Sequence, residues 1–231
     1  MSSMAGDDTR LPLVPLTSVV HFPRTELKLH VVDPAFLPLV HDLEEQDEDS
    51  RWLGVVLLKP GPRFDPQGRP EIFPGGTAAR VLDLETQPGG NTDILLYGER
   101  RFELEREIAH APYRQAVVRL LEEPWLNERD AGILAVRHDL LELLRAMEAE
   151  LGPQFPWDLE DLESLAGGAA FEELVNRIAT RIDVPPLRKL QLLTESLPER
   201  GLSVLSILRA RRQVFDLLRP FRRLAGSAEH N

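Results

Sequence analysis

The sequence predicts an α+β protein, with a small, partly closed β-barrel in its first half and an all-α helical bundle in its second. Three observations carry this reading. Short apolar runs of strand length, punctuated by Pro- and Gly-rich turns, fill residues 11–121. From about residue 127 apolar residues recur at helical spacing. The two patterns meet near Pro124, and no internal repeat crosses them. Residues 11–123 therefore read as a barrel and residues 124–224 as a bundle, with flexible ends at 1–10 and 225–231. The 231 residues are 42% hydrophobic and 28% charged, enough apolar content to bury a core and too little charge to keep the chain unfolded.

The first strand is expected at residues 11–16 (LPLVPL), where two prolines forbid helix and suit a sheet edge. Residues 27–32 (LKLHVV) form the second. Asp33 and Pro34 then start a helix, as N-cap and first helical residue. That helix should carry Phe36, Leu37, Val40 and Leu43 on one side and be short or irregular because of Pro38. Six acids crowd into positions 42–49 without the glycine or ligand alternation of a calcium loop, which makes a solvated surface loop. The unbroken apolar run at 53–58 (LGVVLL) is a buried strand, and residues 59–74 are a long Pro- and Gly-rich loop. Four further strands are expected at 76–85, 92–97, 101–108 and 113–121, with a hairpin turn at 88–91. In 101–108, Phe102, Leu104 and Ile108 should face inward, and Arg101, Glu103, Glu105 and Glu107 should face water.

The helical half starts at Asn127, with Asp130 three residues on as a capping arrangement. Ile133, Val136, Leu140, Leu144, Met147 and Leu151 mark one stripe, stopped by Gly152 and Pro153. Phe171, Leu174, Val175, Ile178 and Ile182 mark a second helix. Pro185 and Pro186 start a third, which carries Leu187, Leu190, Leu193 and Leu197. A fourth runs from about 201 to 219, and Pro220 should end or kink it.

Little catalytic chemistry is visible. No cysteine is present, which excludes disulfides, thiolate metal sites and a cysteine nucleophile. No Gly-Lys-Ser/Thr phosphate loop, dinucleotide G-x-G-x-x-G, His-Glu-x-x-His or G-x-S-x-G elbow occurs. His21, His30, His41, His110, His138 and His230 stand apart and read as packing or surface residues. No metal and no cofactor are expected. The polar, acidic start is no secretory signal and no apolar run is long enough to span a membrane, so a cytoplasmic protein is expected. A net charge of −11 argues against nucleic acid as a partner. Residues 187–223 run against that balance, with nine Arg or Lys and three acids. They read as a helix face complementing the acidic body or as a docking surface for an acidic partner. The loop at 154–157 (QFPW) holds two large aromatics. Phe155 and Trp157 are read either as core or as apolar contacts for a polypeptide.

Several motifs, in this order and spacing, resemble the N-terminal domain of Lon proteases. They are residues 11–16 (LPLVPL) followed by 19–23 (VVHFP), 76–81 (GTAARV), a hairpin at 98–102 (GERRF), PY at 112–113 leading to EE at 122–123, and the helical stretch 184–208. The match covers roughly residues 11–218. The resemblance implies a PUA-like pseudo-β-barrel followed by a helical bundle. It also implies a non-catalytic module that captures unfolded or tagged polypeptides, or binds a protease or chaperone. The ATPase and Ser–Lys peptidase of full-length Lon proteases are not found in these 231 residues. Binding is then passive, through apolar contacts with backbone pairing at an exposed strand edge. The alternatives are a PUA-like module for RNA or a small molecule, and an enzyme whose site carries no motif. Neither the oligomeric state nor the identity of the bound partner is legible at this level.

Overall fold

The computed structural model describes residues 9–65, 68–88, 91–109, 112–152, 155 and 159–226, with backbone only at 159–162 and 218–226. The two ends expected to be flexible lie largely outside these residues. The described chain forms two compact units. One comprises the chain up to Pro124 together with Asp183–Glu195, and the other comprises Trp125–Ile182 and the chain from Ser196 onward.

The first unit is a barrel of β1 (Thr9–Leu16), β2 (Glu26–Val31), β3 (Trp52–Leu58), β4 (Ile72–Thr86), β5 (Thr92–Ile108) and β6 (Gln115–Leu121). The order is β2-β5-β4-β3-β1-β6, and β5 also pairs with β6. Five strands therefore close into a ring, and β2 flanks it on β5. Pairing is antiparallel except between β1 and β3.

β1 is not the edge strand its prolines suggest. Thr9–Pro12 pair with β6, and Leu13–Leu16 pair with β3. The Leu13 N–H donates to Arg114 O at 2.8 Å, so odd-numbered amides point toward β6 and even-numbered ones toward β3. The missing amide of Pro12 then faces β3 before that pairing begins, and that of Pro15 faces β6 after that pairing ends. Two half-partners let a proline-bearing strand sit inside a closed sheet.

Residues 92–108 form one strand of 17 residues, where two strands, 92–97 and 101–108, with a hairpin at 98–102 are expected. A Cβ on Gly98 would stand 2.3 Å from the Phe22 carbonyl oxygen. Gly98 is there for close backbone approach, and the β4–β5 register shifts beside it. A second shift between Leu104 and Arg106 breaks the alternation of β5. Arg101, expected in water, is 9% exposed, for a reason given below.

Asp33 caps a single 3₁₀ turn, Pro34–Phe36, accepting from the Ala35 N–H at 2.9 Å. α1 (Leu37–Glu44) follows, with Pro38 in its first turn. Its core face is Leu39, Val40 and Leu43; Leu37 is 50% exposed, because the 3₁₀ turn rotates the expected stripe. Of the acidic run, Asp42 accepts from Tyr113 Oη at 2.6 Å and Glu44 from Thr86 Oγ1 at 2.8 Å. Among the described residues no group of acids or histidines could hold a metal ion. The barrel core has two clusters, one around Val14, Leu53, Ile94 and Leu96 beneath α1, the other around Leu11, Leu13, Val56 and Phe102.

The second unit contains α2 (Ala131–Leu151), α3 (Leu159–Ala166), α4 (Phe171–Arg181) and α6 (Leu197–Gly226). Asp130, rather than Asn127, caps α2, accepting from the amides of Gly132 and Ile133. Gly152 ends it at φ 51°, in the left-handed region. α3 was not expected. It is two turns long, too short for periodicity to stand out. α6 runs through Pro220, because an interior proline removes one helix bond without obliging the chain to stop. α5 (Pro186–Thr194) belongs to the first unit although it lies within the helical half of the sequence. Its buried residues are Leu190, Leu192 and Leu193, while Leu187 is 45% exposed and Leu197 opens α6.

Candidate functional site

Within the barrel unit, α5 is tied to the sheet by Arg101. The last carbonyls of a helix lack intrahelical donors. Arg101 Nη1 donates to two carbonyls at that end, Leu193 O at 2.8 Å and Glu195 O at 3.1 Å. Its Nε lies 2.7 Å from Glu123 Oε1. These partners explain why a residue patterned for solvent is buried: Glu123 neutralises its charge and Nη1 finds two backbone acceptors. Beside it lies a half-open cleft of about 260 Å³. Phe102, Leu121 and Leu193 make it apolar, Gly75 and Gly76 keep its β4 wall low, and Glu103 and Thr194 supply polar groups. It can accept an apolar side chain. It holds no paired nucleophile and base.

The segment joining β1 and β2 is built around His21. Thr77 Oγ1 donates to His21 O at 2.6 Å, and Thr25 Oγ1 to Phe22 O at 2.7 Å. His21 Nε2 lies 3.0 Å from Thr25 O, which makes Nε2 the protonated nitrogen and leaves Nδ1 without a partner. Burial pushes its pKa down to about 4, so the ring is neutral at pH 7. His21 is thus a packing residue, as its isolation in the sequence suggests.

In the second unit, Met147, Leu151, Val214 and Phe215 line a groove of about 250 Å³ between α2 and α6. The basic stretch is partly answered within this unit. Arg209 Nη2 donates to Asp139 at 2.6 Å and Arg212 Nη2 to Glu150 at 3.0 Å. That is the pattern of a helix face complementing its own acidic neighbour.

Of the two aromatics singled out in the sequence, Phe155 is 8% exposed and offers a bound chain almost no surface. Trp157 lies outside the described residues. Among the described residues sequence reasoning missed two exposed aromatics, Phe64 at 59% and Trp125 at 86% exposed. The only signal for Trp125 is its place beside Pro124 in a stretch with neither strand nor helix periodicity. No helix among the described residues is long and apolar enough to cross a membrane.

A closed five-strand barrel with a flanking strand is a PUA-like fold. Residues 10–210 match the family model of the ATP-dependent protease La (LON) substrate-binding domain. The chain belongs to that family. The Lon protease of Anaeromyxobacter dehalogenans is 30% identical over 209 residues, covering 90% of this chain and 24% of the relative. Lon protease 2 of Myxococcus xanthus gives the same identity and the same coverage. The chain thus spans about a quarter of the length of these relatives. Among solved structures, the N-terminal domain of a Mycobacterium avium complex Lon protease matches with a TM-score of 0.63 at 17% identity, covering 87% of this chain and 98% of that one. A Lon N-terminal domain protein from Xanthomonas campestris matches with a TM-score of 0.58 at 24% identity, covering 86% and 98%. Those two likenesses establish the fold.

Proposed function

We propose that this chain binds polypeptides in protein quality control, holding unfolded or tagged segments, or a protease or chaperone partner, without acting on them chemically. The observation that carries this reading is membership, over residues 10–210, in a family defined by substrate binding in Lon proteolysis. The apolar cleft beside α5 and the exposed ring of Trp125 support it. Trp125 is a candidate anchor, and Trp157 remains one. Phe155, 8% exposed, is the weaker candidate of the two in the 154–157 loop. These 231 residues hold no phosphate loop, and the proposed role is binding alone. The cytoplasm, where such proteases meet unfolded chains, is the proposed site of action.

Fluorescence anisotropy of labelled, reduced α-lactalbumin tests this. Trp125→Ala should weaken binding by about thirtyfold, the effect of losing an aromatic anchor worth ~2 kcal/mol. Its thermal midpoint should stay put, because the ring packs against little. Phe155→Ala should instead lower the midpoint by several degrees. No binding by the parent chain would contradict the proposal, and unchanged binding by Trp125→Ala would move the anchor elsewhere.

A further inference from the structure

We infer that the open edge of β2 is a strand-addition site for extended polypeptide segments whose apolar residues alternate. This rests on the polypeptide-binding reading above and names its mode and its substrate class. Among the described residues β2 pairs with β5 alone. The Gly98 N–H donates to Thr25 O at 2.9 Å, across the register that pairs Glu26 with Tyr97. In an antiparallel ladder bonded pairs alternate. Leu27, Leu29 and Val31 therefore bond to Leu96, Ile94 and Thr92, and the N–H and C=O groups of Glu26, Lys28 and His30 point away from the barrel. These are backbone donors and acceptors in the spacing that a guest strand requires.

The side chains say which guest fits. Leu27, Leu29 and Val31 pack onto the buried cluster around Ile94 and Leu96, yet each remains only partly buried. Among the described residues no strand lies beyond β2 to cover them. A guest strand bonded to β2 would place every second side chain on this same face, beside those three residues, and extend the barrel core by one row. The opposite face is polar. Lys28 Nζ lies 3.5 Å from Asp93 and His30 Nδ1 is 2.7 Å from it. Glu26 shares this exposed face with them. The occupant that fits the apolar face is an extended polypeptide segment, apolar at alternate positions to match Leu27, Leu29 and Val31. Such segments are what an unfolded chain exposes and a folded one hides.

The test uses the full chain and three probes. The first is a labelled ten-residue peptide alternating Val and Thr. The second is the same peptide with every second backbone nitrogen methylated on one edge. The third is reduced α-lactalbumin. The alternating peptide should bind, and methylation of the bonding edge should weaken it by roughly tenfold or more, from the loss of two or three hydrogen bonds of ~1 kcal/mol each. Hydrogen exchange at Glu26, Lys28 and His30 should slow when the peptide is bound. Lys28→Pro, which removes an outward amide at an edge position where proline is tolerated, should weaken binding of the parent peptide with the fold intact. If that variant fails to fold, the methylated peptide still decides. Equal binding of the two peptides, or protection elsewhere while reduced α-lactalbumin still binds, overturns strand addition and leaves polypeptide capture standing. Failure of all three probes to bind overturns both.

Discussion

Phe102→Ala should cost about 3–5 kcal/mol of folding stability, the range for truncating a buried aromatic. Its side chain is 1% exposed and belongs to the cluster of Leu11, Leu13, Val56 and Ala78. The ring lies against bare backbone on two strands. A Cβ on Gly76 would fall 2.6 Å from its Cζ, and one on Gly54 would fall 3.1 Å from its Cε1. β3 and β4 are held in ladders on both sides, so neither can slide into the vacated volume. The cavity therefore stays open, which places the variant toward the costly end of the range. Urea titration measures the loss directly. A loss below about 1 kcal/mol would show that the strand register buries some other face of β5.

The second large effect is an acid-induced loss of stability through His21. Its pKa is lowered by burial from 6.5 to about 4 in the folded chain. The unfolded state therefore binds more protons between those values, and stability rises with pH across that window. The contribution is complete above about pH 6.5 and is lost as the pH falls toward 4. At 1.36 kcal/mol per pKa unit, about 2–3 kcal/mol should be gone by about pH 4.5. Many carboxylates titrate in the same range, so the comparison is with His21→Gln, which stays neutral throughout. The stability gap between the two chains should shrink by that amount between pH 7 and 4.5. A gap independent of pH would mean that the ring reaches solvent or a charge partner.

The residues that were legible in the sequence are those whose physics is local. Asp33 with Pro34, Gly152 after the α2 stripe, the apolar run of β3 and the alternation around Phe102 each announce their structure within a few positions. What escaped depends on partners distant in the chain. Gly98 looks like a turn glycine until the Phe22 carbonyl is seen beside it. Arg101 follows the solvent face of its strand, and only the end of α5, some 90 residues on, explains its burial. The parallel pairing of β1 with β3 and the closure of β5 on β6 are matters of topology, and alternation is silent about which strand meets which. Of the surface features, Trp125 carries no pattern that separates it from a core tryptophan. Phe155 and Trp157 drew notice by composition, and burial makes the first the weaker candidate. The open edge of β2 could be named only once every other strand had its partners.

The measurement that bears most directly on polypeptide capture is calorimetric titration of this chain with one protein in two states, native α-lactalbumin and its reduced, unfolded form. Capture of exposed segments predicts binding of the reduced form, with a negative heat-capacity change from buried apolar surface, and no heat from the native form. Equal binding of both forms, or of neither, would contradict it.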